Sequence, residues 1–327
     1  MIFINWFLIV LHVTLALLAA SHVLLNKNDP RSAWGWISFC ILFPYVGPLF
    51  YFLFGINRVR TRARKLDLKS TFRLDEGYGR LPEDPVNIIT STNVPPAYQE
   101  IARISDTITR LPLVGGNRLE MLHNGEEVYP AMIEAIDQAE STLYFTTYLF
   151  ETNTWGQRII DAFCRAKNRG VDVRIIIDGI GEYYNIPRAG TILLKRGVKV
   201  ARFLPPRISP PTFHINLRNH RKILIADGQI GFTGGINIGD RYLADDLRNP
   251  ERVIDTHFRV SGPVVAQMKG AFIDDWAFIT GKFIDASPKP PEIVGSAICR
   301  SIVDGPNEDI DKLPIVLAGA ISLAKSS

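Results

Sequence analysis

The sequence predicts an α/β protein, a mixed sheet flanked by helices, preceded by an N-terminal two-helix transmembrane hairpin. Three observations predict it. The first 56 of the 327 residues hold two long uncharged apolar runs. From about residue 111, helix-like and strand-like segments alternate, as in a mixed or parallel sheet covered by helices. One of the strand-like runs is entered by a histidine and a lysine two residues apart, inside "RNHRKILIADGQIGFTGGIN".

The hairpin is assigned to residues 1–57. Residues 1–26 carry no charge, and 3–25 is long enough to span a bilayer. The second run, 33–56, is interrupted by "PYVGP", whose prolines kink or partly break it. Trp34 and Trp36 stand at its start in the manner of interfacial anchors. "LLAASH" has the look of a signal-peptide cleavage site, but no basic residue precedes the apolar run and a second run follows it. His12 and His22 fall within the first span, where neutral imidazole is tolerated and no partner is visible in the sequence. The connecting loop carries Lys27, Asp29 and Arg31. The exit carries Arg58, Arg60, Arg62, Arg64 and Lys65. The positive-inside bias puts the chain from 57 onward in the cytoplasm, with the basic cluster against anionic headgroups.

Residues 58–110 read as a basic flank and a polar, proline-bearing linker. The main domain is assigned to 111–300. "EVYPAMIEAIDQAES" has helical spacing (Val128, Met132, Ile136, Ala139), and "TLYFTTYLF" is rich in aromatic and β-branched residues, as strands are. "GQRIIDAFCRAKNRG" is a helix stopped by Gly170, and "VDVRIIIDGIG" a buried strand ending in a turn. "TILLKRG" and "VKVARFL" repeat the alternation. Ligands of such sheets gather beyond the carboxyl ends of strands, which draws attention to Asp178, Gly179 and Gly181; their ordinary reading is a plain turn.

The net charge of +4 does not call for nucleic acid. Cys40, Cys164 and Cys299 lack metal-ligand or disulfide spacing, which suits a reducing cytoplasm. "AIDQAES" (135–141) and "AISLAKS" (320–326) share Ala, Ile, Ala and Ser at an offset of 185, so 301–327 is expected to open a second copy of the domain. A second copy of His220 would then fall near position 405, past Ser327.

His220 and Lys222, two apart, project to one face, and Arg221 to the other. The run 223–226 reads as a buried strand ending at the turn Asp227-Gly228. Burying an imidazole beside an ammonium is costly unless something negative compensates, and a phosphodiester would. His214 and His257 read as edge or packed histidines, Arg221 as a surface charge, and Arg218 as a contact for lipid phosphates.

His220-x-Lys222-x-x-x-x-Asp227 followed by Gly234-Gly235-x-Asn237 resembles the HKD motif of the phospholipase D superfamily. "INLRNHRKILIADGQIGFTGGINIGDRYL", the apolar pair with "RSAWGWISFCILFPYVGPLFYFLFGINR", and "DTHFRVSGPVV" together resemble bacterial cardiolipin synthases along nearly the whole chain. The resemblance implies a phospholipase D-like fold and a membrane-bound phosphatidyltransferase. In it His220 attacks phosphorus, Lys222 and Asn237 bind the phosphoryl oxygens, and Asp227 serves as a structural member of the motif. Asp255 matches the acid that holds the nucleophilic histidine in its useful tautomer. Gly235 stands where the family often has Ser. No metal and no cofactor are implied. The expected partners are phosphatidylglycerol and anionic lipids, with no nucleic acid, and the expected location is the bacterial inner membrane, multi-pass. Hydrolysis by water, a nuclease of the same superfamily, and a catalytically incomplete membrane protein are the alternatives. Enzymes of this kind use two motifs and this chain carries one, so a missing second repeat or a homodimer is expected to complete the site.

Overall fold

The computed structural model describes residues 2–27, 30–56, 87–109, 111–206, 218–245, 247, 249–284, 291–303 and 312–324. The exit cluster 58–65, the linker up to 86, Asp29 and His214 lie outside them. Two units are resolved, one of Met1–Thr61 with Pro206–His214, the other of Arg62–Pro205 with Ile215–Ser327.

In the first unit, α1 (Ile2–Asn26) is long and apolar enough to cross a membrane. The second apolar run does not form one long helix. It divides into α2 (Pro30–Leu42) and α3 (Val46–Phe50), the latter running into a π turn over Tyr51–Gly55. The break falls where Pro44 has no N–H to give, with Tyr45 at φ 61°. In place of the expected two-span hairpin stand one helix of spanning length and a broken partner. His22 is not without a partner: its Nδ1 lies 2.8 Å from the Tyr51 hydroxyl. His12 stands edge-on to the Tyr45 ring at 5.9 Å.

The second unit is built on a mixed sheet. Its strands are β1 (Ile88–Ile89), β2 (Leu113–His123), β3 (Thr142–Thr147), β4 (Asp172–Asp178), β5 (Lys199–Phe203), β6 (Ile223–Ala226), β7 (Ile230–Gly234), β8 (Thr256–Ser261) and β9 (Ala297–Cys299). They lie in the order β1-β2-β8-β7-β6-β3-β4-β5, with β9 also on β2. β3, β4 and β5 are parallel; the rest pair antiparallel. Helices α4 (Gln99–Ile108), α5 (Asn124–Gln138), α6 (Thr154–Asn168), α7 (Ala189–Lys195), α8 (Val264–Thr280) and α9 (Lys312–Leu323) complete it.

Strand alternation sorts the core into two faces. Leu143 and Phe145 of β3, with Val173, Ile175 and Ile177 of β4, meet Val128, Met132 and Ile136 of α5 and Ile159, Ile160 and Phe163 of α6. Tyr144 points the other way and stacks on Phe272 of α8 at 4.9 Å, while Arg174 reaches over Trp276 of the same helix. The expected helical positions on α5 are buried, and Gly170 ends α6 in the left-handed region (φ 96°).

The assignment of 58–110 to a flank and linker is corrected from residue 87 onward. Ile88 and Ile89 pair with Val114 and Leu113. α4 turns Ala102 and Ser105 inward and packs against α9. Its apolar positions recur at helical spacing within a polar sequence, which is the reason it folds onto the domain.

Candidate active site

The sheet order gathers residues distant in sequence. β3 and β4 run parallel, so their carboxyl ends, Thr147 and Asp178, share one edge of the sheet. β6 is antiparallel to β3, so its approach, His220 to Lys222, enters at that edge. β7 returns to it at Gly234, which pairs with His257 near the start of β8.

Asp178 is fully buried and organises the approach to His220. Its carboxylate accepts from the amides of Ile180 (2.8 Å), Gly181 (3.0 Å) and Asn219 (3.2 Å), and from the Arg218 guanidinium (3.3 Å). The plain-turn reading of this loop and the lipid contact expected of Arg218 are both corrected: Arg218 is buried and also donates to the Leu204 carbonyl at 3.1 Å. Arg221 does point away from Lys222, but it is no surface charge. It pairs with Asp275 of α8, which also accepts from Asn219 at 3.0 Å. A buried guanidinium needs such a carboxylate, and α8 supplies it.

His220 is exposed on one side, and its ring stacks on Tyr148 at 4.4 Å with 12° between planes. Partial desolvation, and then the charge of Lys222, hold its pKa below the ordinary histidine value, with Asp178 opposing. The ring is thus neutral near pH 7, the form whose nitrogen lone pair can attack phosphorus. Burial lowers the Lys222 pKa and the Asp255 carboxylate counters it, while Nζ donates to the His220 carbonyl at 2.8 Å.

The charge of Asp255 reaches Lys222, and the carboxylate whose field reaches His220 is Asp178. Asp255 accepts from the Thr256 amide at 2.7 Å; its own amide donates to the Asn124 side-chain oxygen at 3.0 Å, and its carbonyl accepts from the Asn124 amide at 2.9 Å. Gly235 faces it so closely that any Cβ there would overlap the carboxylate, a physical reason for glycine where serine is frequent. Asn237 uses its amide internally: Nδ2 donates to the Tyr242 hydroxyl (2.6 Å) and Oδ1 accepts from the Leu149 amide (3.1 Å). The Tyr129 hydroxyl bonds the carbonyls of Asn237 and Gly239, both at 2.8 Å. Asn237 therefore shapes the loop behind the site. Asp227 lies at the opposite end of β6. It accepts from the amides of Glu140, Ser141 and Thr142 and from the Ser141 hydroxyl, which hold its pKa down against burial. His257 is fully buried beside Lys222, neither ring nitrogen has a hydrogen-bond partner, and burial pushes its pKa down to about 3.

Tyr148 is the site residue that sequence reading missed, and Asp178 was singled out only by its place at the end of a strand, with no link to His220. No spacing rule connects 148 or 178 to 220; only the strand order does. Among the described residues, no group of three His, Cys, Asp or Glu side chains could hold a metal ion.

Comparison with known proteins identifies the domain. Residues 132–276 match the family described as cardiolipin synthase, PLD-like domain, and residues 14–55 match the phospholipase D–nuclease N-terminal family. The domain around His220 is therefore a phospholipase D-like domain. Cardiolipin synthases of Geobacillus thermodenitrificans and Alkalihalophilus pseudofirmus are 29% and 28% identical to the chain, each over 93% of it. The chain thus carries a PLD-like domain of the cardiolipin synthase type and is similar to bacterial cardiolipin synthases along most of its length. It spans 60% and 61% of the length of those two curated relatives. Among solved structures, the phosphatidylserine synthase of Haemophilus influenzae matches with a TM-score of 0.42 and 17% identity, over 69% of this chain and 48% of that one. A phospholipase D family member from Salmonella typhimurium matches with a TM-score of 0.37 and 19% identity, over 52% and 98%.

Proposed function

We propose that His220 takes a phosphatidyl group from phosphatidylglycerol and passes it to a second phosphatidylglycerol, giving cardiolipin and glycerol. The observation that carries this reading is the exposed imidazole of His220, stacked on Tyr148 beside Lys222 at one edge of the sheet, where burial and the Lys222 charge favour its neutral form. A ring nitrogen attacks phosphorus, the bond to the headgroup glycerol oxygen breaks, and that oxygen leaves with a proton from an acid. The glycerol hydroxyl of the second lipid then attacks, loses its proton, and the P–N bond breaks. Lys222 compensates the charge on the non-bridging oxygens in both steps.

The acid is a second imidazole, from a second repeat or a second copy of this chain. Support for a repeat comes from the element order: β9 leads into α9 as β2 leads into α5. α5 ends at Gln138 and α9 at Leu323, which is 323 − 138 = 185 residues later, the offset seen in the sequence. In this reading Asp227 and Asn237 act as scaffold, Asp255 tunes Lys222, the domain is cytoplasmic, and the protein sits in the bacterial inner membrane with both apolar runs embedded.

The test is to trap the phosphoryl-enzyme with labelled phosphatidylglycerol. Where a second copy or repeat supplies the acid, label is expected on the parent chain and absent from His220→Asn, and chelator should not change it, because Lys222 supplies the positive charge. Label persisting on His220→Asn sinks the assignment. Phosphatidic acid in place of cardiolipin would make water the acceptor.

A further inference from the structure

We infer that the loop 180–188 is a docking element that seats the catalytic edge of the sheet on the lipid bilayer. The choice of a bilayer as occupant rests on the lipid substrate proposed above. The loop leaves the carboxyl end of β4, next to the site, and its base is rigid. The Asp178 carboxylate holds the amides of Ile180 and Gly181. The Glu182 side chain is fully buried and takes two bonds from Arg202, at 2.5 and 3.1 Å. At the far end the Thr152 hydroxyl bonds the Asn185 side chain at 2.6 Å and the Pro187 carbonyl at 3.0 Å.

On this pinned base stands an apolar tip. Tyr183 is 50% exposed, Tyr184 68% and Ile186 86%. Large side chains held out by a fixed loop lose free energy in water that a rearrangement of the loop cannot recover, so a covering surface is called for. The chemistry of the tip fits the interfacial layer of a bilayer. Tyrosine presents an apolar ring and a polar hydroxyl, as at membrane–water boundaries. Arg188 lies over the Tyr183 ring at 3.7 Å, which sets beside the exposed tyrosines a guanidinium able to bind a headgroup phosphate. The tip is also continuous with the chemistry: the Tyr184 ring is 6.5 Å from Tyr148, which stacks on His220. The same chain carries α1, long and apolar enough to cross a membrane, so a bilayer is always at hand.

The full chain, with its three cysteines replaced, is placed in nanodiscs holding one copy each, with an environment-sensitive fluorophore at Ile186→Cys. The control is Lys167→Cys near the end of α6, at the opposite edge of the sheet. Acyl-chain-brominated phosphatidylcholine should quench the label at 186 about twofold and leave the label at 167 unchanged. Equal brightness at 186 in brominated and plain discs overturns the inference. So does quenching that appears only in discs holding two copies, because the covering surface would then be a second chain. Label trapping on His220 in the same discs, from a labelled phosphatidyl nitrophenyl ester whose leaving group needs no acid, separates the two readings. Trapped label without quenching removes the docking loop alone, and quenching without trapped label removes the transfer reading alone.

Discussion

At the scale of single residues, the reactivity of His220 is set by what covers it. Tyr148 shields one face of the ring, Lys222 adds like charge, and Asp178 and Arg218 stand behind. Tyr148→Ala should therefore raise the His220 pKa toward the ordinary value, while Tyr148→Phe, which keeps the ring, should not. Titration of the histidine ring resonances by NMR reads this directly, with His220→Asn identifying the signal; unchanged titration in Tyr148→Ala would remove the stacking from the account. His257 gives a second pH effect. Its pKa of about 3 in the fold, against 6.5 for a free side chain, means the unfolded chain binds the extra proton between those values. Stability from this residue is complete above pH 6.5 and is lost as pH falls toward 3, at up to about 1.4 kcal/mol per pH unit. Melting temperatures from pH 7 to 4 should fall less steeply for His257→Gln than for the parent. The motif made His220 and Lys222 legible. The pairing of Asp178 with Asn219 and of Asp255 with Lys222 was not, since both depend on which strands become neighbours.

At the scale of elements, α8 is both a cover for the sheet and a charge partner for the strand that carries the site. Removing the Asp275 carboxylate would take an ion-pair partner from the largely buried Arg221 guanidinium. Asp275→Ala should cost about 3–5 kcal/mol, read from denaturant midpoints, and Arg221→Met in the same chain should recover most of it. A loss within 1 kcal/mol would show that Arg221 reaches water. Helices and buried strands were readable from periodicity: α5, α6, β3 and β4 stand where the spacing of Val128, Met132 and Ile136 and the run of isoleucines in "VDVRIIIDG" place them. Short pieces were not. Two-residue β1 carries no period, and α4 is mostly polar, so 87–109 passed for linker although it pairs with β2 and packs on α9. The partial break expected at "PYVGP" is found at Tyr45, because a missing N–H acts locally and needs no tertiary context.

At the scale of the whole molecule, the positive-inside argument makes a directional prediction. In intact cells Lys27→Cys should react with an impermeant thiol reagent, while Lys167→Cys reacts only after lysis; the reverse pattern would put the catalytic domain outside. The long apolar helix α1 was legible because twenty-odd uncharged residues say the same thing in any fold, whereas the π turn that ends the second run was not. The register of the sheet carries a last consequence, for the order in which the chain is made. β2 is translated early, but its long partner is β8, with His123 facing Thr256 at a separation of 133 positions along the chain. At ribosomal speeds of about 5–20 residues per second, that strand waits on the order of ten seconds for its neighbour. Throughout that interval α1 has already left the ribosome. A nascent chain held at the membrane by its first helix, with an unpaired strand edge on show, is the species that chaperones and proteases meet first.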